Sequence, residues 1–297
     1  MKWLIPAKTF LVGEYAALAE QSAIILTTTP YFELSLVSQK ESHGIHPDSP
    51  AGIWWQKQLI KDYGLQWNDP YGGCGGLGAS SAQFVASYLA SCYLKQITPT
   101  LSELLDAYYQ CAWSGKGLRP SGYDLIAQSS TGCVFINKQK QSINAYDWPF
   151  KDLSLILLHT GVKLATHEHL QSTSLPADIT TLSMLAEKAN KAFIHADSKA
   201  LIESVNDYHQ QLANLNLVAE HSLRSIEHLK SYPEILAIKG CGALGSDILL
   251  ILTSIEESTD LQNKLRQQDW SIVATENNVT SINASQMRQT AYFKNIT

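Results

Sequence analysis

A chain of 297 residues, 45% hydrophobic and 16% charged, has room for two compact domains and the composition of an ordinary folded protein, which excludes disordered and collagen-like classes. The formal net charge of -5, without clustered Lys and Arg, weighs against nucleic acid as a main partner, although local cations can still hold one anionic ligand. Five cysteines, odd in number and without a Cys-x-x-Cys pair, read as reduced thiols of a cytoplasmic protein rather than a disulfide framework.

In chain order, residues 3 to 12 are rich in strand formers, and Lys8 and Glu14 break the apolar opening, which argues against a secretory leader. Phe32, Leu34 and Leu36 alternate with Glu33 and Ser35 in the period of a half-buried strand. Ala82, Val85, Ala86, Leu89, Ala90 and Tyr93 recur at helical spacing, so the glycine-rich residues before them lead into a helix N-terminus. A second helix is expected from Leu101, Leu104, Leu105, Tyr108 and Ala112, capped by Thr100 or Ser102 and stopped near Gly115. The apolar run 153 to 158 reads as a buried strand, and a domain boundary is placed near residue 150, giving domains 1–150 and 151–297. Beyond it, Leu182 to Phe193 and Leu201 to Leu215 carry helical stripes, and a second glycine-rich turn from Lys239 to Ser246 precedes the strand-like Ile248 to Leu252. No apolar run approaches the roughly 20 residues that span a bilayer, so no membrane partner is expected.

Tyr71-Gly-Gly-Cys-Gly-Gly-Leu-Gly-Ala-Ser-Ser-Ala82 concentrates glycines where the backbone turns sharply before a helix. Helix N-terminal N–H groups and the positive end of the helix dipole favour an anion, and glycine lets the chain approach it closely. A flexible surface loop with a Ser N-cap is an equally available reading of such a run taken alone. A Walker-type Gly-x-x-x-x-Gly-Lys-Ser/Thr is missing, and a dinucleotide fingerprint is not convincing, so a different nucleotide scheme is required. His167-Glu168-His169 does not read as a metal site, because histidines two apart on a helix face different directions. Trp54 and Trp55 fit packing better than a binding pocket.

The glycine-rich stretch resembles the second motif of the GHMP kinases, Pro-x-x-x-Gly-Leu-Gly-Ser-Ser-Ala, with Tyr71 near the usual Pro and Ala79 at the first Ser. Three further segments match in the expected order. Pro6-Ala-Lys-Thr-Phe-Leu-Val-Gly-Glu-Tyr15 resembles the first motif, Pro120-Ser-Gly-Tyr-Asp124 the Pro-Ser-Gly-x-Asp element, and Lys239 to Asp247 the third motif, with Leu244 and Ser246 replacing two glycines. Thr160-Gly-Val-Lys-Leu-Ala-Thr166 is similar to the segment Thr-Gly-x-x-x-x-Thr. Taken singly, Lys8 would read as a solvated strand-edge lysine and Asp124 as a turn or helix cap.

The resemblance implies a two-domain α+β fold, with an N-terminal nucleotide-binding domain and a C-terminal ferredoxin-like domain, and phosphoryl transfer from ATP with Mg2+ to a small molecule. It implies ATP along Gly75, Gly76, Leu77, Gly78, Ala79, Ser80 and Ser81, magnesium on Ser80, Lys8 beside the transferring group, and Asp124 as base for the acceptor hydroxyl. Glu14, Tyr15, Thr166, Gly242 and Ala243 are the implied substrate contacts. Mevalonate kinases carry a magnesium-binding Glu eleven residues before the catalytic Asp, and that position here is Trp113. Gly13-Glu-Tyr15 and Asp247 resemble phosphomevalonate kinases, whereas Gly161-Val-Lys163 and Thr166 resemble mevalonate kinases, so a mevalonate-pathway acceptor is expected. Homoserine or another small metabolite, or a non-catalytic nucleotide-binding protein of this fold, are the alternatives. Lys116, Arg119 and Lys163 are candidate cations for a phosphorylated acceptor. The oligomeric state is left open, a homodimer included.

Overall fold

The computed structural model describes residues 1–162 and 179–282. The first sheet is built from β1 (Lys2–Val12), β2 (Ala23–Val37), β3 (Gly64–Asn68), β4 (Cys133–Asn137) and β5 (Ser142–Tyr146), all antiparallel in the order β1-β2-β4-β5 with β3 also on β2. Helices α1 (Pro50–Lys57), α2 (Ala79–Lys95), α3 (Leu101–Ala112) and α4 (Tyr123–Gln128) belong to the same half. α3 begins where expected, with the Thr100 side chain accepting from the Glu103 N–H.

The second sheet has the order β7-β8-β6-β9 and is also antiparallel, with β6 (Leu153–His159), β7 (Ile235–Cys241), β8 (Ile248–Ser254) and β9 (Ser271–Thr275). It comes with α5 (Ile179–His195), α6 (Ser198–Asn214), α7 (Glu220–Leu229) and α8 (Ser258–Gln267). The unbroken apolar run in β6 has a simple cause. Leu155 and Leu157 join the core shared with α5, α6 and the first sheet, whereas Ile156 and Leu158 face a second core with Ile226, Leu229, Leu261 and Leu265 of α7 and α8. A strand covered on both faces does not alternate in polarity. The composition and antiparallel sheets are those of an α+β protein.

The two halves share a core and are stitched by polar contacts. Ser22 Oγ and Lys140 Nζ each donate to Glu187 Oε1 of α5 at 2.7 Å, and Asn137 Nδ2 donates to Ser22 Oγ at 2.7 Å. Across the expected boundary, residues after β9 return to the first sheet. The Thr280 N–H donates to Thr27 O at 2.9 Å, and Gly132 N donates to Thr280 Oγ1 at 2.8 Å.

Burial pushes the Glu187 carboxyl up, but hydrogen bonds from Lys140, Ser22 and Asn137 outweigh it and hold the group below its ordinary value of 4.5. A depressed folded-state pKa gives stability that is present above the unfolded value and lost as pH falls through the folded one. Glu187→Ala should therefore cost about 1–2 kcal/mol in urea unfolding at pH 7 and progressively less below about pH 4.5. An equal cost at pH 7 and pH 3 would show that the charge does not hold the two halves together.

Candidate active site

Three segments far apart in sequence meet at one place. Lys8 on β1 puts its Nζ 3.1 Å from Asp124 Oδ1 on the first turn of α4 and 5.1 Å from the centre of the Phe10 ring. The lysine side chain is 9% exposed and the aspartate side chain 35%, so the carboxylate is the member of the pair that solvent reaches. The Lys8 N–H also donates to Leu77 O at 2.9 Å, which ties this strand to the glycine-rich loop.

The glycines of that loop are there for two different reasons. Gly72 and Gly73 have positive φ but open space where a side chain would go, with their turn held by Asp69, which accepts from the N–H groups of Tyr71 and Gly73 at 2.8 and 3.0 Å. Gly76 and Gly78 are positions of close approach. A Cβ at Gly76 would lie 2.7 Å from Asp247 Cβ, and one at Gly78 would lie 2.6 Å from Lys8 Cγ. Gly78, at φ 79, is the N-cap of α2, so the first-turn N–H groups of Ala79, Ser80 and Ser81 point out of a helix of 17 residues. The two serines differ. Ser81 is buried and donates to Gly78 O at 3.0 Å, whereas Ser80 is exposed.

The Asp124 turn is built from its neighbours. Gly122 precedes α4 at φ 76, and a Cβ there would sit 2.6 Å from Tyr109 Oη, which donates to Ser121 O at 2.9 Å. Arg119 stacks on the Tyr109 ring at 4.5 Å and pairs with Glu20 at 2.8 Å, and Lys138 pairs with the same carboxylate at 2.6 Å. The Lys138 hydrogen bond holds the Glu20 carboxyl below its usual range against some burial, with Arg119 adding to it. Arg119 thus has Tyr109 and Glu20 as neighbours at the start of the turn that presents Asp124.

Glu14 and Tyr15, implied as substrate contacts, are both buried, at 7% and 6% exposure. Glu14 Oε1 lies 2.5 Å from Nζ of Lys239, a lysine with no exposed side-chain surface, and the Tyr15 hydroxyl accepts from the Leu244 N–H at 3.3 Å. Burial works against the Lys239 charge, but the Glu14 carboxylate and a hydrogen bond to the Cys241 sulfur outweigh it and hold the amine above its usual value, while burial pushes Tyr15 up to about 12. Glu14 and Tyr15 therefore touch the end of β7 and the turn that follows it. In that turn Gly242 takes φ 92, Leu244 takes φ 51, and Ala243 lies in the short helical turn Ala243–Gly245. Asp247 is packed against both glycine loops, since a Cβ at Gly242 would lie 2.9 Å from its Oδ2. In the sequence Asp247 stands at the end of the third motif and among the residues that resemble phosphomevalonate kinases, but its contact with Gly76 had no signal in spacing. Thr166, Lys163 and His167 to His169 lie outside the described residues.

Trp113 stands just past the end of α3 in an extended conformation, 38% exposed, and its Nε1 donates to Lys116 O at 3.1 Å. Among the described residues no group of three or more His, Cys, Asp or Glu is arranged to hold a metal ion. Such a cluster is not required of a magnesium site, which keeps several waters and takes one or two protein oxygens beside phosphate.

No family model matches the sequence, and no curated protein is similar to it in sequence. Solved structures are similar to it in fold. A phosphomevalonate kinase from Streptococcus pneumoniae, in complex with phosphomevalonate and AMPPNP, superposes with a TM-score of 0.76 at 15% identity, over 93% of this chain and 99% of that one. The mevalonate kinase of Methanococcus jannaschii gives 0.71 at 14% identity, over 95% and 98%. The galactokinase of Lactococcus lactis, complexed with galactose, gives 0.72 at 11% identity, over 94% and 93%. The chain has the GHMP kinase fold. This two-domain α+β architecture is the one the four motifs implied, and within it Lys8, the glycine-rich loop and Asp124 come together while Thr166 is not described.

If Gly78 is glycine because Lys8 packs on it, Gly78→Ala should cost about 1–3 kcal/mol in urea unfolding, from strain and overlap together. Gly72→Ala, with strain alone, should cost about 1 kcal/mol. The opposite order would remove the packing explanation.

Proposed function

We propose that this chain is an ATP-dependent kinase of the GHMP type acting on a small metabolite, with 5-phosphomevalonate or mevalonate as the leading acceptors. The observation that carries this reading is the Lys8–Asp124 pair at 3.1 Å beside the glycine-capped start of α2. Phosphoryl transfer asks a protein mainly for positioning and for charge to meet developing charge. The N–H groups of Ala79, Ser80 and Ser81 would receive phosphate oxygens at the positive end of the helix. Lys8 would neutralise charge on the group in transfer; with a hydroxyl acceptor such as mevalonate, Asp124 would orient the hydroxyl and take its proton, whereas with 5-phosphomevalonate the attacking atom would be an oxygen of the acceptor's own phosphate, which needs Lys8 for charge and no proton transfer to Asp124. The exposed Ser80 hydroxyl suits magnesium, which would supply further neutralisation of phosphate charge. In this reading 1–150 form the nucleotide-binding domain and 151–297 the C-terminal domain. The mevalonate-pathway preference rests on Gly13-Glu-Tyr15, Asp247 and Gly161, and on the likeness to kinases of both acceptors.

The test is ATP consumption with mevalonate, 5-phosphomevalonate, homoserine and galactose as separate acceptors. One of the first two should be turned over, with kcat reduced on the order of 100-fold in Lys8→Met and, where mevalonate is the acceptor, about 100-fold or more in Asp124→Ala. Turnover of mevalonate by Asp124→Ala equal to the parent would sink the assigned base. ATP binding without turnover on any acceptor would favour a nucleotide-binding protein, the reading to which Trp113 gives weight.

A further inference from the structure

Lys8, Gly78 and Asp124 sit on three separate segments, and one buried side chain touches all three segments. Gln128, 3% exposed, is the last residue of α4, four positions after Asp124, on the same face of the helix. Its Nε2 donates to Pro6 O at 2.9 Å, two residues before Lys8, and to Gly78 O at 3.0 Å, at the cap of α2. Because both partners are carbonyls, the amide can face them only with its nitrogen. The β1–β2 register shifts between Ile5 and Ala7, and at that irregularity Gln128 donates to the Pro6 carbonyl. Gly78 O also accepts from the Ala82 N–H at 2.9 Å and from Ser81 Oγ at 3.0 Å, so the contact with Gln128 fixes where the helix cap sits instead of rescuing an orphan acceptor.

The other end of the amide is informative. Gln128 Oε1 is buried and has no hydrogen-bond partner among the described residues. A residue that only filled the core would be better apolar, since an unpaired buried carbonyl is costly. Here one donor group is shared between a strand and a helix cap of the site, and the acceptor end is left over. We propose that Gln128 is a positioning residue for phosphoryl transfer, setting the phosphate-binding helix cap and the Lys8 strand at a fixed separation from Asp124. The proposal rests on the kinase reading, and it acts through alignment, where a displacement of about 1 Å can cost on the order of 100-fold in rate.

Two nearly isosteric substitutions separate this role from packing. Gln128→Met keeps the volume and removes both hydrogen bonds, and Gln128→Glu keeps the shape but turns a carboxylate oxygen towards two carbonyls. Each is first checked for folding by thermal melting, so that the assays are made well below its Tm. Both should bind the fluorescent nucleotide mant-ATP about tenfold more weakly than the parent and lower kcat on the order of 100-fold, with the acceptor KM within about 3-fold. In an Asp124→Ala background, the kcat cost of Gln128→Met should shrink to below about 3-fold, because groups that act as a unit are non-additive. Folded variants with parental mant-ATP affinity would overturn the proposal, as would a full kcat cost persisting without Asp124. If the parent transfers no phosphate to any acceptor, the kinase reading fails, while the mant-ATP titration still decides whether Gln128 sets the helix cap.

Discussion

The outer edge of β1 is the constraint on which the site depends. One edge of this strand pairs with β2, and the other leaves backbone groups that must find partners elsewhere. Three alternate residues show how this is solved. Pro6 O accepts from Gln128 of α4, the Lys8 N–H donates to Leu77 O of the glycine-rich loop, and Phe10 O accepts from Cys241 Sγ at 3.2 Å at the end of β7. A strand edge left open would invite aggregation, and here it is covered by α4, the glycine-rich loop and the end of β7. Lys8 lies in the middle of that edge.

The second constraint is the charge buried between the halves. Lys239 has no exposed side-chain surface, and it is neutralised by Glu14, with the Phe10 carbonyl at 3.5 Å and the face of Tyr208 at 6.0 Å. Removing one partner of such a pair typically costs about 3–5 kcal/mol, because the other is left charged and dry. Burial pushes the neighbouring Cys241 thiol up to about 11, against the pull of Lys239, so it remains a neutral packing group. Tyr208 donates from its hydroxyl to Glu14 O at 2.6 Å, adding α6 to the same junction. The pair therefore fixes the end of β1 against β7, and through Tyr15 it reaches the turn at Leu244.

Much of this was legible in one dimension because it is local. The strand periods at 3 to 12 and 32 to 36, the helical stripes after residues 82, 101, 182 and 201, and the glycines around Gly78 are set by φ/ψ preference and by the face each element buries. Helices α7 and α8 were not anticipated. Their apolar residues are few, and they cover a face of the second sheet that the sequence does not mark as needing cover. The fold as a whole came from motif order, which carries information that periodicity does not.

By itself, the sequence determined which residues have the right chemistry: a lysine in a strand, an aspartate after a glycine turn, and glycines before a helix. Only the tertiary structure decided how they are used. It brings Lys8 to Asp124 across more than a hundred residues, divides Ser80 from Ser81, and pairs Arg119 with Glu20 and Glu14 with Lys239. The physical reason is that the fate of a polar side chain depends on what competes for it. Burial, an opposite charge or an unpaired carbonyl supplied by a distant segment has no trace in local spacing.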